Sequence, residues 1–173
     1  MRRRALYTSA ALLAIAVGAC CSIPSYTPGF WNNDWTARTK NNCYNYSNNK
    51  RTDTFAQPGR AAGAQWTLKE CNNVRTAAVA DGLTVAASPN DCKNKECALA
   101  LVVAPGYDYH WYRRDQNGMW SHKPGGTPAT NLDNSSNPIS NPETANRGVY
   151  VNFCGYLCSC SGATEGNGNE KIN

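Results

Sequence analysis

Residues 97–133 read CALALVVAPGYDYHWYRRDQNGMWSHKPGGTPATNLD, and this stretch decides the fold. It begins with the uninterrupted apolar run 98–104, and two segments follow, 107–113 and 119–122, in which apolar and polar residues alternate. The dipeptide Asn117-Gly118 between those segments is a strong signal for a tight turn between antiparallel strands. The sequence therefore predicts three antiparallel strands, with a hairpin between the second and the third.

The two histidines of the chain, His110 and His122, lie on the second and third of these strands. A hairpin brings its two strands side by side, so the two imidazoles are expected to be neighbours. Any acid–base chemistry by imidazole in this chain is therefore expected on this hairpin.

The first nineteen residues have the pattern of an export signal. Arg2-Arg3-Arg4 precedes the apolar run 10–17, and the small residues Gly18-Ala19 precede Cys20. This order is typical of a cleaved signal peptide. The small pair directly before Cys20 also resembles a bacterial lipobox, in which the cysteine receives a lipid. We therefore expect a lipoprotein-type signal peptide over 1–19 and an exported protein, either attached to the cell envelope through Cys20 or freely secreted.

Removal of the leader changes the charge balance. The whole chain has a formal net charge of +5, whereas without the three leader arginines fourteen basic residues face twelve acidic ones, a net charge of +2. Nucleic-acid binding needs a clustered basic surface, which so small an excess does not predict. We expect no nucleic-acid partner, and membrane contact through the N-terminal lipid only.

Nine cysteines in an exported chain favour disulfide bonds. The sequence does not fix the pairing, although a bridge between Cys92 and Cys97 would close a short loop. At least one cysteine of a C-terminal group is expected to reach back to the body of the domain. That group is Cys154, Cys158 and Cys160. Neither it nor the Cys92/Cys97 pair has the paired C-x2-C spacing of a zinc site, so we expect no metal and no cofactor.

Composition suggests where the domain begins and ends. Residues 20–40, with their prolines and tryptophans, predict an irregular linker. Residues 41–160 are enough for a single domain with its own core. Residues 161–173 lack core-forming side chains and predict a disordered tail.

Two helices are predicted inside the domain. Asn42 is a good N-cap for a short helix that begins near Cys43. Apolar residues at near-helical spacing predict a second helix over 68–83. Further segments are short strands over 84–86 and 149–153, and a long polar loop over 123–147.

Cys43 is the candidate nucleophile. A cysteine becomes nucleophilic when a helix N-terminus and a nearby imidazole stabilise its thiolate, and Cys43 is the cysteine predicted at a helix start. The alternative is that Cys43 forms a disulfide bond, as exported cysteines usually do.

The sequence Asn42-Cys43-Tyr44 at the start of a helix, followed by strands with His110 and His122, resembles papain-like cysteine hydrolases of the bacterial cell-wall endopeptidase and amidase class. The blocks NNCYNY, TDTFAQPGR, DYHWYRRDxNGxWSHKPG and NLDNS also resemble segments of a family of exported bacterial proteins. The resemblance implies an α+β fold, a single papain-like domain braced by disulfides, in which the helix that carries the cysteine packs on a small antiparallel sheet. It also implies that Cys43 is the nucleophile, His110 the general base and His122 the group that orients the base.

A second assignment of the catalytic roles stays open. His122 would then be the base and Asp133 its orienting group, since a carboxylate holds an imidazolium well.

Aromatic and basic residues surround the two histidines. The aromatic ones, which we expect to contact the substrate, are Trp111, Tyr112 and Trp120. The basic ones, which we expect to form a solvated rim, are Arg113, Arg114 and Lys123.

Two functional hypotheses follow. The first is an exported cysteine hydrolase, a peptidase or amidase, whose partner is a peptide or peptidoglycan substrate. The alternative is a non-catalytic module that binds a glycan or a protein, because five tryptophans and nine tyrosines in a disulfide-braced domain suit stacking on sugar rings. A Cys43 bridged to another cysteine would exclude the hydrolase.

Overall fold

The computed structural model describes residues 22–93, 96–160 and 172–173. The predicted signal peptide, the lipid site at Cys20 and most of the predicted tail therefore lie outside the described residues. Within them the helices are α1 (Pro28–Asn32), α2 (Trp35–Lys40), α3 (Cys43–Ser47) and α4 (Cys71–Ala80). The strands are β1 (Thr84–Ala86), β2 (Cys97–Ala104), β3 (Asp108–Arg114), β4 (Trp120–His122) and β5 (Asn152–Ser159). None of the described helices has the length and apolar composition needed to cross a membrane.

The strands form one antiparallel sheet in the order β1-β5-β2-β3-β4. The three strands predicted from residues 97–133 are confirmed as β2, β3 and β4. In the turn between β3 and β4, Gly118 has φ +82° and the Asp115 amide donates to the Met119 carbonyl at 2.8 Å. This turn sets a register in which His122 pairs with Tyr112, two residues beyond His110 on the same strand. The fold is thus α+β.

Strand β2 is buried on both faces, which explains its continuous apolar sequence. On one face its side chains pack with residues of α3 and α4 in the main core, and these side chains are Leu99, Leu101 and Val103. On the other face they pack with Trp120 and Tyr156, and these are Ala98, Ala100 and Val102. The sheet therefore separates two apolar clusters, and α3 lies against the first.

Residues 28–40 form two short helices, so the prediction of an irregular linker over 20–40 was wrong for this part. Pro28 occupies the first turn of α1, where its missing amide costs nothing. The Asp34 side chain caps α2 by accepting from the Ala37 amide at 2.6 Å. Trp31 is buried with its ring 5.1 Å from that of Tyr46, so this segment is packed onto the domain.

Two disulfides tie β5 to the rest of the domain. They join Cys71 to Cys154 and Cys92 to Cys158, so Cys92 does not close the short loop with Cys97 that was one possible pairing. The predicted reach of the C-terminal cysteines to the body of the domain is confirmed. Cys160 is also disulfide-bonded. Cys97 instead lies on β2 with its thiol donating to the Arg114 carbonyl at 3.2 Å.

The last helix and strand differ from their predicted bounds. Helix α4 begins at Cys71 and ends at Ala80, shorter at both ends than the predicted 68–83. The last strand, β5, begins at Asn152 and ends at Ser159, so it overlaps only the last two residues of the predicted strand over 149–153. Its two bridged cysteines, which sequence analysis placed after the strand, lie within it because the bridges hold them against α4 and the segment before β2.

The end of the chain packs on the domain. Ile172 is 1% exposed, and the Asn173 carbonyl accepts from the Gln57 amide at 2.9 Å and from Arg60 Nε at 2.8 Å. The prediction of a disordered tail over 161–173 therefore does not hold for these two residues.

Candidate functional site

Helix α3 begins at Cys43 because Asn42 caps it. The Asn42 side-chain oxygen accepts from the amides of Tyr44 at 3.0 Å and Asn45 at 3.1 Å. The Asn45 side chain in turn accepts from the Asn42 amide at 3.1 Å, which completes a reciprocal capping box. The predicted helix start at Cys43 is confirmed, and the cap fixes the backbone position of this residue.

Cys43 is a free, buried cysteine. Burial raises the pKa of its thiol to about 12, because a thiolate loses its hydration inside the domain. Cys43 therefore carries a protonated thiol at neutral pH. Among the residues that the structure describes, no hydrogen bond joins this sulfur to an imidazole.

The two imidazoles form a short hydrogen-bonded chain, as the hairpin predicted. His110 Nε2 lies 2.8 Å from His122 Nδ1, and His122 Nε2 lies 2.9 Å from the Leu132 carbonyl oxygen. A carbonyl only accepts, so His122 carries its proton on Nε2 and accepts through Nδ1. His110 must then donate from Nε2, which leaves its Nδ1 as an unprotonated acceptor.

Both imidazoles are neutral at physiological pH. Burial lowers the pKa of His110 well below its ordinary value, and the neighbouring His122 lowers it further. Burial also lowers the pKa of His122, although its bond to the Leu132 carbonyl and the charge of Asp133 oppose this effect. The pair is therefore a fixed donor–acceptor chain without a positive charge.

Among the described residues, no hydrogen bond joins the Asp133 carboxylate to the imidazole of His122. Its carboxylate accepts from the backbone amides of the loop around it, at 2.8 Å from Ser135 and 3.0 Å from both Asn137 and Asn146. These bonds hold the pKa of Asp133 below its ordinary value. The alternative in which Asp133 orients His122 by a hydrogen bond is not seen, because the Leu132 carbonyl occupies that ring nitrogen.

The aromatic residues predicted to contact a substrate are buried instead. Trp111 is fully buried in the main core, while Tyr112 and Trp120 pack in the cluster on the other face of the sheet. Because β3 and β4 are covered on both sides, none of the three rings reaches solvent. The alternation of these aromatic residues with the histidines along the sequence therefore reflects packing inside the domain and not contact with a substrate.

Two of the three residues predicted to form a solvated rim are also buried. Arg113 forms an ion pair with Asp115 at 2.8 Å. Lys123 donates to the carbonyls of Arg38 and Asn41, both at 2.5 Å, and of Gly125 at 2.7 Å. The prediction was wrong for Arg113 and Lys123 because distant segments add partners to the local ones: Tyr46 and Asn49 accept from Arg113, and Arg38 and Asn41 accept from Lys123.

Cys43 and His110 both line a cleft of about 250 Å³, which we call the aromatic cleft. Its walls include Phe55, Trp66, Asp108 and Tyr150 besides these two residues. The Tyr150 ring stacks on His110 with centroids 5.3 Å apart, and its hydroxyl donates to Asp108 at 2.8 Å. Cys43 and His110 were predicted as site residues from the sequence, whereas these wall residues were not.

The wall residues come from segments that share no short-range pattern. Phe55 and Trp66 lie in the connection between α3 and α4, Asp108 begins β3, and Tyr150 precedes β5. Their sequence signals are the block TDTFAQPGR, which contains Phe55, and the block that begins at Asp108. Asp133 and the three buried aromatic residues do not line the cleft. Within the described ranges, no group of three or more His, Cys, Asp or Glu is placed to hold a metal ion.

Comparison with known proteins gives one clear relative. Over 132 residues the chain is 50% identical to insoluble matrix shell protein 1 of the mollusc Ruditapes philippinarum, and the match covers 76% of this chain and 87% of that protein. No family model matches the chain, and no solved structure matches it.

This relative corrects the resemblance to bacterial papain-like cysteine hydrolases. Its name describes a protein of a shell matrix, which contradicts both a bacterial hydrolase family and the peptidase or amidase activity that the resemblance implied. The alternative of a non-catalytic binding module agrees better with a matrix protein.

Proposed function

The chain belongs to the family of insoluble matrix shell protein 1, and from this membership we propose that it is a non-catalytic binding component of an extracellular matrix. Its ligand would be a glycan or a protein of that matrix. The observation that carries the proposal is the 50% identity itself, because it extends over most of both chains.

The chemical state of the aromatic cleft supports a binding role. Thiol-based hydrolysis starts from a thiolate paired with a base that can accept and return a proton. Burial keeps Cys43 protonated and keeps both imidazoles neutral, so the site at rest is uncharged at these three groups. Such a site can accept and donate hydrogen bonds to a ligand.

Disulfide bonding and the leader pattern support an extracellular location. Bridges such as Cys71–Cys154 and Cys92–Cys158 persist in oxidising compartments. We propose that residues 1–19 direct export and that residues 41–160, together with the two helices over 28–40 that pack on them, act as the folded unit. Attachment of a lipid to Cys20 stays a prediction.

Retention on insoluble material tests the proposed function. The mature chain, from residue 20 onward, would be incubated at micromolar concentration with insoluble chitin, cellulose, collagen and elastin, and the protein left in the supernatant would be measured. We expect retention on at least one material above the level of serum albumin. No retention on any of the four would overturn the proposal.

The Cys43→Ala variant is the matched control for catalysis. We expect it to be retained as the wild type is, with no release of sugars or amines from the material by either protein. Release of fragments by the wild type that the variant does not produce would overturn the non-catalytic reading.

A further inference from the structure

The aromatic cleft contains an acceptor that the protein itself does not use. His110 is 3% exposed and lines the cleft, and its Nε2 is bound to His122. Its Nδ1 makes no hydrogen bond with the described residues. The tautomer fixed by the Leu132 carbonyl leaves a lone pair on that atom. This nitrogen is not one of the fully enclosed polar atoms that lack a partner, so a donor on a ligand in the cleft can reach it.

Aromatic rings form the walls around this acceptor. Trp66 stands edge-on to Tyr109 with ring centroids 5.5 Å apart, and Tyr150 covers His110. Phe55 is 41% exposed although it is large and apolar, and its backbone has φ +53°, a left-handed conformation that costs a bulky side chain free energy. The Phe55 amide donates to the Lys40 carbonyl at 2.8 Å, so the fold itself holds this exposed ring at the cleft.

The charges in the cleft balance. Asp108 supplies one carboxylate, which accepts from the Tyr150 hydroxyl at 2.8 Å. Lys69 supplies one ammonium group, which lies 5.8 Å from the centre of the Trp66 ring and donates to the Tyr107 carbonyl at 2.6 Å. An ammonium group over that wall disfavours a cationic ligand, and the carboxylate disfavours an anionic one. The cleft therefore suits a neutral ligand.

We propose that the aromatic cleft binds one neutral hexopyranose ring of a glycan, with the ring against Phe55 and Trp66 and a hydroxyl donating to His110 Nδ1. Such a sugar presents apolar C–H faces to aromatic walls and hydroxyl donors to acceptors, which a volume of about 250 Å³ accommodates. This inference rests on the proposed function and names its ligand class.

Titration calorimetry with soluble oligosaccharides tests the inference. The probes are the β-linked trisaccharides of N-acetylglucosamine and of glucose, with a capped neutral tetrapeptide as the non-sugar probe. We expect at least one trisaccharide to bind the wild type, with its Kd at least tenfold weaker for Phe55→Ala and Trp66→Ala. Trp35→Ala is the matched control, because Trp35 is 64% exposed and lies outside the cleft, and its Kd should not change.

Nitrogen NMR of the histidine rings gives a readout that folding defects do not mimic. The free wild type should show an unprotonated Nδ1 on His110, assigned with the His110→Gln variant, and the sugar should shift this resonance. A protonated Nδ1, or a bound sugar that leaves it unchanged, would overturn the inference.

The outcomes separate this inference from the proposed function. If the chain is retained on an insoluble material but no trisaccharide binds, or if only the tetrapeptide binds, the sugar subsite is wrong and the matrix role stands. If Phe55→Ala and Trp66→Ala fold and bind the sugar as the wild type does, the cleft is not the subsite. If neither material nor sugar is bound, both proposals fail.

Discussion

Replacing Arg113 by methionine should destabilise the domain strongly, because this guanidinium joins three parts of the chain. It contacts Asp115 twice, at 2.8 and 3.0 Å. It also donates to the Tyr46 carbonyl at 3.3 Å and the Asn49 side chain at 3.1 Å, and it lies 4.2 Å from the centre of the Tyr46 ring. A further bond, to the Ser25 carbonyl, fixes the N-terminal segment.

The size of the expected loss of stability follows from the buried carboxylate that the variant leaves without a partner. Arg113 and Asp115 both have side chains only 1% exposed, so Arg113→Met strands a buried carboxylate. Breaking one partner of a buried ion pair costs about 3–5 kcal/mol, which we expect as the loss in free energy of unfolding at pH 7. Removing both charges in Arg113→Met/Asp115→Leu should recover much of that loss, since no uncompensated charge stays buried.

The loss should also depend on pH. Burial raises the pKa of Asp115 and the charge of Arg113 opposes that rise, so the variant should raise this pKa further. The folded variant then binds a proton that the unfolded chain has lost at neutral pH, so its stability falls as pH rises through the folded-state pKa. The deficit relative to the wild type should therefore shrink between pH 7 and pH 5.

Urea unfolding followed by tryptophan fluorescence, with the disulfides intact, measures both effects. Arg114→Met is the matched control, because the neighbouring Arg114 is half-buried and bonds to Asn90 and the Gly118 carbonyl rather than to a carboxylate. We expect it to cost about 1 kcal/mol or less. A loss below about 1 kcal/mol for Arg113→Met, or a deficit that does not change with pH, would refute the reasoning.

Three further predictions concern the thiol, the disulfides and one glycine. Because burial raises the pKa of Cys43 to about 12, iodoacetamide should modify it in the native protein at least about a hundredfold more slowly than it modifies glutathione, and mass spectrometry of the intact protein checks this against Cys43→Ala. Cys92→Ser/Cys158→Ser should lose about 4 kcal/mol of stability, because the bridge closes a loop with a sequence separation of 66; an unchanged Tm would count against this. Gly59→Ala should lose about 2 kcal/mol or more, since a Cβ at φ +78° would lie 2.1 Å from the Ala64 carbonyl oxygen. Gly63→Ala, at φ +69° in open space, isolates the backbone strain and should lose less in the same thermal unfolding assay.

The sheet could be predicted where local patterns determine it. The apolar run of β2 and the Asn117-Gly118 turn depend on neighbouring residues, and the predicted strands and hairpin are confirmed. The start of α3 likewise depends on Asn42, which caps the helix from one residue away. The contact between His110 and His122 followed from the hairpin.

The candidate site could be predicted only in part, because most of it comes from distant segments. Arg113 and Lys123 were expected at the surface, as charged residues usually are, but folding adds distant partners that permit their burial, Tyr46 and Asn49 for Arg113 and the carbonyls of Arg38 and Asn41 for Lys123. The aromatic cleft draws Phe55 and Trp66 from the connection between α3 and α4, and Tyr150 from the segment before β5. These residues have no regular spacing in the sequence, so no local pattern could predict that folding brings them together.

The place of β5 in the sheet constrains when this protein can fold. Its residues, Asn152–Ser159, insert between β1 and β2, which precede them in the chain by dozens of positions. Strands β2, β3 and β4 can pair as soon as they are synthesised. The edge of β2 that later pairs with β5 then has unpaired amides and carbonyls. An unpaired strand edge is a template for association with another chain. The sheet is therefore complete only after β5 has been synthesised. Until then the nascent chain exposes an unpaired strand edge that favours aggregation.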